Sequence, residues 1–400
     1  MRDLTASQRK IIGSERHVWP NELAFAEAIY AERLELIQED ILARGLSVVI
    51  LFDPENMYWL TGYQTIGYFT FQAMCIPASG KPVIVTRVVN RDMALALPTI
   101  GDAISVFDTQ DHVDVLEAYL KDTVPTGQIG IDTTSRYLNI CDYTRLVDRL
   151  GGRFKPFINV IEAHRMVKTS YELDRMRAAA SAVKAGIDAA LKTIAVGKTD
   201  NDLAAALYQG SIAAGSEYIG HPPMVVTGPR SELCFALWKR NTIEKGDVVL
   251  LEGAGCVDRY HAMMSRSAVV GKATDEHKAT ADALVEILET AIDTIKPGVT
   301  AGEVDFACRQ KVEKRGLGQY FKSRTAYGIG IGFPPNWAEG HIYSLRPNDP
   351  MVLQPNMTFH VIPTMFRTGF GMAISDSVRV TEDGCEVLTN YPRDLMEIDA

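Results

Sequence analysis

The chain has 400 residues, a formal net charge of -9 and 46% hydrophobic residues. This is an ordinary globular composition with room for two packed domains. Acidic and basic residues are interspersed, so the sequence lacks the clustered basic face that nucleic acids and anionic membranes require. The charge balance argues against both of these partners and is compatible with a small zwitterionic substrate.

The sequence also indicates the cellular compartment of the protein. The N-terminus lacks the apolar core of a signal peptide, and no uncharged apolar run reaches the roughly 18 residues that span a bilayer. The six cysteines are scattered without a C-x-x-C pair, which is typical of free thiols in a reducing compartment. We therefore expect a cytoplasmic protein.

Helical and strand patterns alternate in the first 165 residues. The spacing of Leu34, Ile37 and Ile41 predicts a helix over 22–44. Apolar runs predict strands at 47–52, 73–77, 82–86 and 129–132. These patterns indicate a small α/β domain over 1–165.

Longer helices and paired strands follow in residues 166–400. Helices are predicted over 170–194, 201–215, 275–295 and 302–315. Strands are predicted at 224–227, 247–252, 260–270, 358–363 and 377–381, the second and third joined by a turn at Val257-Asp258-Arg259. Long helices alternating with antiparallel strand pairs indicate an α+β domain.

A series of short motifs runs through the whole chain. They are Asn56 to Gly62, Val167-Lys168-Thr169, Lys245-Gly246-Asp247, Arg266-Ser267, Lys296-Pro297-Gly298, the glycine run 328–332 and Glu382-Asp383-Gly384. In this order and spacing the chain resembles the creatinase, prolidase and methionine aminopeptidase superfamily. The resemblance implies a pita-bread catalytic domain over 166–400 behind a smaller creatinase-type domain. It also implies a homodimer in which the N-terminal domain of one subunit reaches the partner's active site.

The positions of the family's metal ligands differ in this chain. The family's metallopeptidases bind two metal ions through two Asp, one His and two Glu. Those positions carry Glu252, Met263, Ile329, Ile362 and Ser375 here. Met, Ile and Ser do not supply the charged oxygen ligands that a hard dication requires. We therefore expect no metal and no other cofactor.

The nearest family resemblance is to amidine hydrolases. Creatinase hydrolyses an amidinium without a metal, but its essential histidine and glutamates fall at Phe235, Ser265 and Ile362 here. The segment Leu250 to Gly255, with Tyr260-His261, instead resembles the family's ectoine hydrolases. That resemblance implies hydrolysis of the cyclic amidine ectoine to N-acetyl-2,4-diaminobutyrate.

Strand alternation predicts which side chains face the cavity. Side chains two residues apart share a face, so His261 should lie beside Met263, and His360 beside Ile362. Glu252 should face them from the partner strand. A carboxyl group among apolar side chains stays protonated until a cation pairs with it. Glu252 is therefore predicted to bind the amidinium.

Two mechanisms remain open for Glu252. It either attacks the amidine carbon and forms a covalent intermediate, or activates a water as general base. We favour direct attack because no metal is expected to supply hydroxide. A histidine that titrates near neutrality would protonate the leaving ring nitrogen. The candidates are His221, His261 and His360, each of which could equally be a structural histidine.

Further candidates lie on the loop that follows the glycine run. Trp337 could stack on a planar amidinium, and Glu339 and His341 could contact substrate. The alternative for all three is packing within the loop. The sequence therefore supports them as substrate-binding residues less strongly than Glu252.

Two aromatic residues and two arginines complete the set of candidate site residues. Tyr68 and Phe69 are candidates for a lid over the partner's site, although aromatic residues of this kind usually belong to a core. The residue that binds the substrate carboxylate is left open between Arg230, Arg324 and a residue of the partner.

Three other functions remain open from the sequence. They are hydrolysis of another small amidino or guanidino compound such as creatine, peptidase activity at proline, and a non-catalytic binding role. The lost metal ligands argue against the peptidase. Glu252 argues against an inactive site, because burying an unpaired carboxyl group is costly.

Overall fold

Residues 22–399 are described by a computed structural model, in which the chain divides after Glu162 into two units. The N-terminal segment, for which no signal peptide is expected, lies outside the described residues. None of the helices in residues 22–399 is long and apolar enough to cross a bilayer.

The first unit is an α/β domain with a six-stranded sheet of order β4-β3-β2-β1-β5-β6. The strands are β1 Leu46–Leu51, β2 Gln72–Pro77, β3 Val83–Arg87, β4 Asp102–Val106, β5 Gln128–Ile131 and β6 Phe154–Pro156. The helices are α1 Glu27–Ala43, α2 Pro54–Thr61, α3 Arg91–Leu95, α4 His112–Thr123 and α5 Ile140–Leu150. The four predicted strands are confirmed to within one residue, whereas α1 begins five residues later than the pattern predicted.

The sheet of the first unit is mixed, and its core contacts the helices. β1 runs antiparallel to β2 and parallel to β5. Val48 and Ile50 from β1 belong to a buried cluster that includes Leu116 and Leu120 of α4 and Leu146 of α5. The alternating apolar residues of these strands and helices therefore build one core.

The helices of the second unit begin at threonine caps. α6 Val160–Met166 spans the division between the units, and the later helices are α7 Ser170–Thr193, α8 Asp200–Ala213, α9 Asp275–Thr294 and α10 Ala301–Lys314. Each of these later helices starts with a capping box, as in Thr169 with Glu172, which satisfies free backbone N–H groups of the first turn. The four predicted helices are confirmed to within two residues.

The second unit contains a ten-stranded sheet whose main path is β17-β16-β13-β10-β9-β8-β7. Its strands are β7 Met224–Thr227, β8 Val248–Val257, β9 Tyr260–Val270, β10 Ala326–Phe333, β11 Asn336–Ala338, β12 Ser344–Leu345, β13 Thr358–Val361, β16 Asp376–Val380, β17 Cys385–Val387 and β18 Met396–Ile398. β14 Thr364–Arg367 and β15 Phe370–Ala373 form a separate pair. The α+β prediction is confirmed.

The hairpin of β8 and β9 is the longest pairing in this sheet. Asp258 and Arg259 connect the strands with φ of 48° and 62°, the left-handed conformation at both turn positions that two-residue hairpins favour. This turn fixes a continuous register from Val257 opposite Tyr260 to Val248 opposite Val269. Glu252 consequently lies directly opposite Ser265.

The glycine run forms strand β10, which the sequence patterns did not predict because glycine has a low strand propensity. A Cβ atom at Gly330 would lie 2.6 Å from Oε2 of Glu339 and 2.8 Å from Cε of Lys168. Close approach of other groups, and not loop flexibility, thus explains this glycine.

Candidate active site

Glu252 lies near the middle of β8 and is 3% exposed. Burial raises the pKa of its carboxyl group from 4.5 to about 8, and the Ser265 hydroxyl opposes this rise only weakly. No hydrogen bond of normal geometry joins the two side chains, and Ser265 Oγ is a buried oxygen without such a partner in the described residues. Glu252 is therefore mostly protonated at neutral pH in the free protein.

A line of hydrogen-bonded side chains lies on the neighbouring strands. Tyr327 on β10 and His360 on β13 are register partners, and the tyrosine hydroxyl lies 2.7 Å from His360 Nδ1. His360 Nε2 lies 2.7 Å from Oγ of Ser375. Trp337 Nε1 donates to the same tyrosine oxygen at 3.2 Å. The four residues form one relay, which we call the Tyr327–His360 relay.

The relay adjoins Glu252 through two links. Ser375 Oγ accepts a hydrogen bond from the backbone N–H of Ser265, the residue opposite Glu252, at 2.7 Å. The pKa of Tyr327 lies well above its usual value because the phenol is buried and because the Glu252 charge lies nearby. The carboxyl group and the relay thus belong to one site.

His360 differs from the expected near-neutral histidine. Burial, together with the positive charge of Arg266, lowers its pKa to about 3. The ring is therefore neutral at physiological pH and cannot serve as a stored imidazolium. In the tautomer with hydrogen on Nδ1, His360 donates to the tyrosine oxygen, which leaves the hydroxyl hydrogen of Tyr327 free for a substrate.

A buried arginine holds the backbone of this site. One Arg266 nitrogen donates to the carbonyl oxygens of Ser265 and Ser375 at 2.8 and 2.6 Å. Its guanidinium pairs with Asp376 at 3.0 Å, and Asp376 also binds Arg393 at 2.9 Å. These contacts of Arg266 fix the backbone segments that carry the Ser265 and Ser375 hydroxyl groups.

The side chains at the family's metal positions do not fit a hard metal ion. Met263, Ile329 and Ile362 are buried and apolar, and the Ser375 hydroxyl is engaged by His360 and a backbone amide. Glu252 is then the only carboxylate among these positions. Within residues 22–399, no group of three or more His, Cys, Asp or Glu side chains is arranged to hold a metal.

His261 lies on the face that strand alternation predicted, but both of its ring nitrogens have backbone partners. Nδ1 lies 2.9 Å from the carbonyl oxygen of Arg259, and Nε2 accepts from the backbone N–H of Gly220 at 3.0 Å. It is four residues from Ser265, about 13 Å along the strand. The arrangement leaves His261 without a nitrogen for proton transfer, and its catalytic role stays a prediction.

His221 and Trp337 lie together. Their ring centroids are 3.4 Å apart, and Nδ1 of His221 lies 2.7 Å from the carbonyl oxygen of Pro222. Trp337 is 2% exposed and is joined to Tyr327 by its indole N–H. The structure thus brings these two predicted residues to the relay, where Trp337 is a partner of Tyr327.

Glu339 occupies a buried ion-pair cluster. Its oxygens lie 2.6 Å from Arg165 and 2.8 Å from Lys168, and one also accepts from the backbone N–H of Ile331 at 3.2 Å. Burial alone would raise its pKa, but Lys168 and Arg165 outweigh it and lower the pKa. The predicted substrate contact is not supported by this arrangement, because protein groups occupy both oxygens.

Glu339→Gln is expected to destabilise the protein by about 3 kcal/mol or more, because it removes the buried carboxylate that pairs with both Arg165 and Lys168. Urea unfolding of this variant would measure the loss. Glu382→Gln, at an exposed turn, is the control. An unfolding free energy equal to that of the unchanged protein would contradict the structural role.

The remaining predicted residues are His341, Tyr68 and Phe69. His341 is exposed on the loop after β11. In the first unit, Tyr68 is 8% exposed and packs edge-on against Tyr137 with centroids 5.8 Å apart, whereas Phe69 is 77% exposed. The homodimer and the lid formed by the first unit stay predictions.

Tyr327 is a candidate site residue that the sequence analysis does not identify. It lies two residues before Ile329, one of the family's metal-ligand positions, so strand alternation places Tyr327 on the same face. The glycine run hides this signal, because glycine has a low strand propensity.

Comparisons with known proteins agree with this architecture. The model of metallopeptidase family M24 matches residues 174–382, and that of the creatinase/prolidase N-terminal domain matches residues 33–167. An ectoine hydrolase of Halomonas elongata is 29% identical over 393 residues, covering 93% of this chain and 98% of that protein. A probable dipeptidase PepE of Mycobacterium tuberculosis is 27% identical over 377 residues, covering 94% and 98%.

A solved structure extends the similarity to the fold. The prolidase of Thermococcus sibiricus superimposes with a TM-score of 0.83 at 23% identity, covering 92% of this chain and 99% of that one. The superposition shows the fold alone.

Proposed function

Because the chain belongs to metallopeptidase family M24 and is a hydrolase of that family, we propose that it hydrolyses a cyclic amidine, ectoine, without a metal. The product would be N-acetyl-2,4-diaminobutyrate. The observation that carries the proposal is Glu252, a protonated buried acid at a site whose other metal-ligand positions are apolar or engaged. The similarity to the ectoine hydrolase of Halomonas elongata supports the choice of substrate.

The electrostatics of Glu252 favour a cationic ligand. A carboxyl group whose pKa is about 8 gains a counter-ion when an amidinium binds, and the proton is then released. An ion pair at about 4 Å in a partly buried site is worth roughly 4 kcal/mol before desolvation is subtracted. The site therefore selects an amidinium over a neutral amide.

The proposed reaction uses Glu252 as nucleophile. One carboxylate oxygen forms a bond with the amidine carbon, and the ring C–N bond then breaks with its electron pair going to nitrogen. Tyr327 donates the proton to that nitrogen, while Trp337 and His360 stabilise the phenolate by hydrogen bonds. Water then adds to the former amidine carbon, and the C–O bond to Glu252 breaks with its electron pair returning to the carboxylate. One water proton returns to Tyr327 and the other goes to the freed amine.

The chemistry can be tested directly with ectoine. Protein treated with chelator is incubated with ectoine and, in separate samples, with creatine and an Xaa-Pro dipeptide, and NMR follows each substrate. We expect ring opening of ectoine at an unchanged rate in chelator. Dipeptide cleavage that chelator removes would contradict the proposal and support a metallopeptidase. Cleavage of creatine without cleavage of ectoine would identify creatine, and not ectoine, as a substrate.

Arg324 is proposed to bind the substrate carboxylate. Its guanidinium carbon lies 5.8 Å from the ring centroid of Tyr327, and one nitrogen donates to the Gly340 carbonyl oxygen and to Ser344 Oγ at 3.1 and 2.9 Å. Its other nitrogens face no hydrogen-bond acceptor in the described residues. The Tyr327 pKa responds to both Glu252 and Arg324, which supports a zwitterion held between the two.

Arg324→Gln is expected to raise KM for ectoine about tenfold to a hundredfold with a small change in kcat, since a charge-assisted hydrogen bond is worth about 1.5–3 kcal/mol. Arg230→Gln is the matched control and should change KM less, because Arg230 donates to the Leu237 carbonyl oxygen on a separate segment. Steady-state kinetics measure both. A larger rise in KM for Arg230→Gln than for Arg324→Gln would indicate that Arg230 binds the substrate carboxylate.

A further inference from the structure

Glu252 has unlike neighbours on its two sides in the large sheet. Ser265 on β9 and Met224 on β7 are its cross-strand register partners. Side chains directly opposite each other on antiparallel strands share one face, with Cβ atoms about 5 Å apart. Ser265 carries a hydroxyl group, whereas the thioether of Met224 is at most a weak acceptor. The proposed mechanism assigns no role to the Met224 side.

The buried clusters of this unit show which face of β8 carries Glu252. Leu251 belongs to the cluster that β8 forms with α7 and α8, so these helices cover the opposite face. Leu250 belongs to a separate cluster with Val226 and Ala373. Because Leu250 precedes Glu252 by two residues, both side chains project from the same face. The second cluster therefore lies beside the carboxyl group.

The segment 233–237 borders the same face. Ala236 packs against the cluster that contains Leu250. Cys234 reaches solvent, and burial of part of its side chain together with the nearby Glu252 charge raises the pKa of its thiol. The segment thus lies next to the carboxyl group and marks where this side of the site meets solvent.

Four apolar side chains form a wall on this side of Glu252. Val226 and Leu250 are buried, Ala236 packs against them, and Met224 is partly exposed. We call these four residues the Met224 wall. None of their side chains carries an N–H or O–H donor or an oxygen acceptor, and the backbone groups between β7 and β8 are paired in the sheet.

The two sides of Glu252 therefore favour different parts of an amidinium. An amidine carbon carries two nitrogens and one further substituent in a plane. The Ser265 hydroxyl, a buried oxygen without a hydrogen-bond partner of normal geometry in the described residues, can accept from an amidinium N–H. A substituent directed at the Met224 wall meets carbon and sulfur atoms. A donor placed there loses its hydrogen bonds with water, which weakens binding, whereas an alkyl group loses none.

We infer that the Met224 wall selects the substituent on the amidine carbon, so that the substrates are amidines with a short alkyl group there and not guanidines, which carry an amino group. The inference rests on the proposed function for the placement of the amidine carbon at Glu252. Met224 is the wall residue directly beside the carboxyl group. We therefore expect Met224 to limit the length of the alkyl group.

The length limit is tested with ectoine, which carries a methyl group on the amidine carbon, and its homologue with a propyl group there. Met224 is partly exposed on the edge strand β7, so Met224→Ala should fold. We expect this variant to raise the ratio of kcat/KM, propyl over methyl, at least about tenfold, since one methylene in an apolar pocket changes kcat/KM by about tenfold or more.

Met396→Ala is the matched control, because it truncates a partly buried methionine on the short strand β18 of the same sheet. It should leave the propyl-over-methyl ratio unchanged. An unchanged ratio in Met224→Ala, or an equal rise in both variants, would overturn the inference.

The polarity of the wall is tested with the 2-amino analogue of ectoine, a cyclic guanidine. Met224→Gln keeps the length of the side chain and adds an amide oxygen that accepts from the amino group. We expect the inhibition constant of the analogue, relative to KM for ectoine, to fall at least about tenfold in Met224→Gln and to stay unchanged in Met396→Gln. The same relative inhibition constant in Met224→Gln and in the unchanged protein would contradict selection by polarity.

Calorimetry separates this inference from the proposed function. If none of the three compounds is hydrolysed, the proposed function fails, and their dissociation constants then test the wall alone. A preference for propyl over methyl that Met224→Ala raises at least tenfold relative to Met396→Ala would keep the wall assignment. Absence of binding, or the same relative dissociation constants in all variants, would reject it.

Discussion

Replacing Glu252 with glutamine should lower kcat for ectoine by about 10³-fold or more, because the substitution removes the carboxylate proposed to react with the amidine while preserving the shape of the side chain. The neutral amide keeps the volume of the buried site, so the fold should persist. Steady-state and single-turnover kinetics on the purified variant measure the effect. A rate within tenfold of the unchanged protein would exclude Glu252 as nucleophile and as base.

Two further measurements distinguish the mechanisms open to Glu252. Acid quenching during turnover followed by mass spectrometry should show a fraction of the protein heavier by one substrate molecule if the carboxylate attacks directly. Glu252→Asp is the matched control, since it keeps the charge but withdraws the oxygen by one methylene. The absence of an adduct at every quench time, with full activity, would favour the general-base route.

The same carboxyl group makes both activity and stability depend on pH. The free enzyme must lose the Glu252 proton, so kcat/KM should rise with pH and level off above a pKa of about 8. The free energy of unfolding changes with pH in the opposite direction. The folded pKa of Glu252 is above its unfolded value, so its contribution is fully present below pH 4.5 and is lost as pH rises through about 8. Glu252→Gln should therefore raise Tm more at pH 8 than at pH 5.

Replacing His360 with leucine should lower kcat by about 10²-fold, the usual scale for a group that assists proton transfer. Leucine fills a similar volume but removes the hydrogen bond to Tyr327, whose hydroxyl is the proposed proton donor. Tyr327→Phe should cost a similar factor. Because both substitutions break one relay, the double variant should be little worse than either single variant.

The controls separate catalysis from folding. His360→Gln keeps a polar group at this position and should recover part of the lost rate. His277→Gln, on α9 and outside the relay, should leave kcat unchanged. Multiplicative losses in the double variant would show that Tyr327 and His360 act independently, and a fall in Tm that tracks the loss of kcat would assign His360 a structural role.

Local patterns in the sequence determined the elements and the central residue of this protein. Helical spacing of apolar residues predicted the long helices, because that signal depends on neighbours within one or two turns. The alternation of side chains in β8 and β9 placed Glu252 opposite the Ser265 face. The sequence alone also showed that Met263, Ile329 and Ile362 stand where the family's metallopeptidases have metal ligands. These features depend on the identity and spacing of residues alone.

Only the tertiary structure decided which polar side chains are available for chemistry. The Glu339 carboxylate pairs with Arg165, which is 174 residues away, and His261 accepts a hydrogen bond from Gly220, which is 41 residues away. Tyr327 and His360 are joined across 33 residues. A hydrogen bond or a buried ion pair forms between groups that folding brings together, and it sets their pKa values as well as their exposure. The chemical availability of a residue is therefore a property of its tertiary partners, which spacing along the chain does not encode.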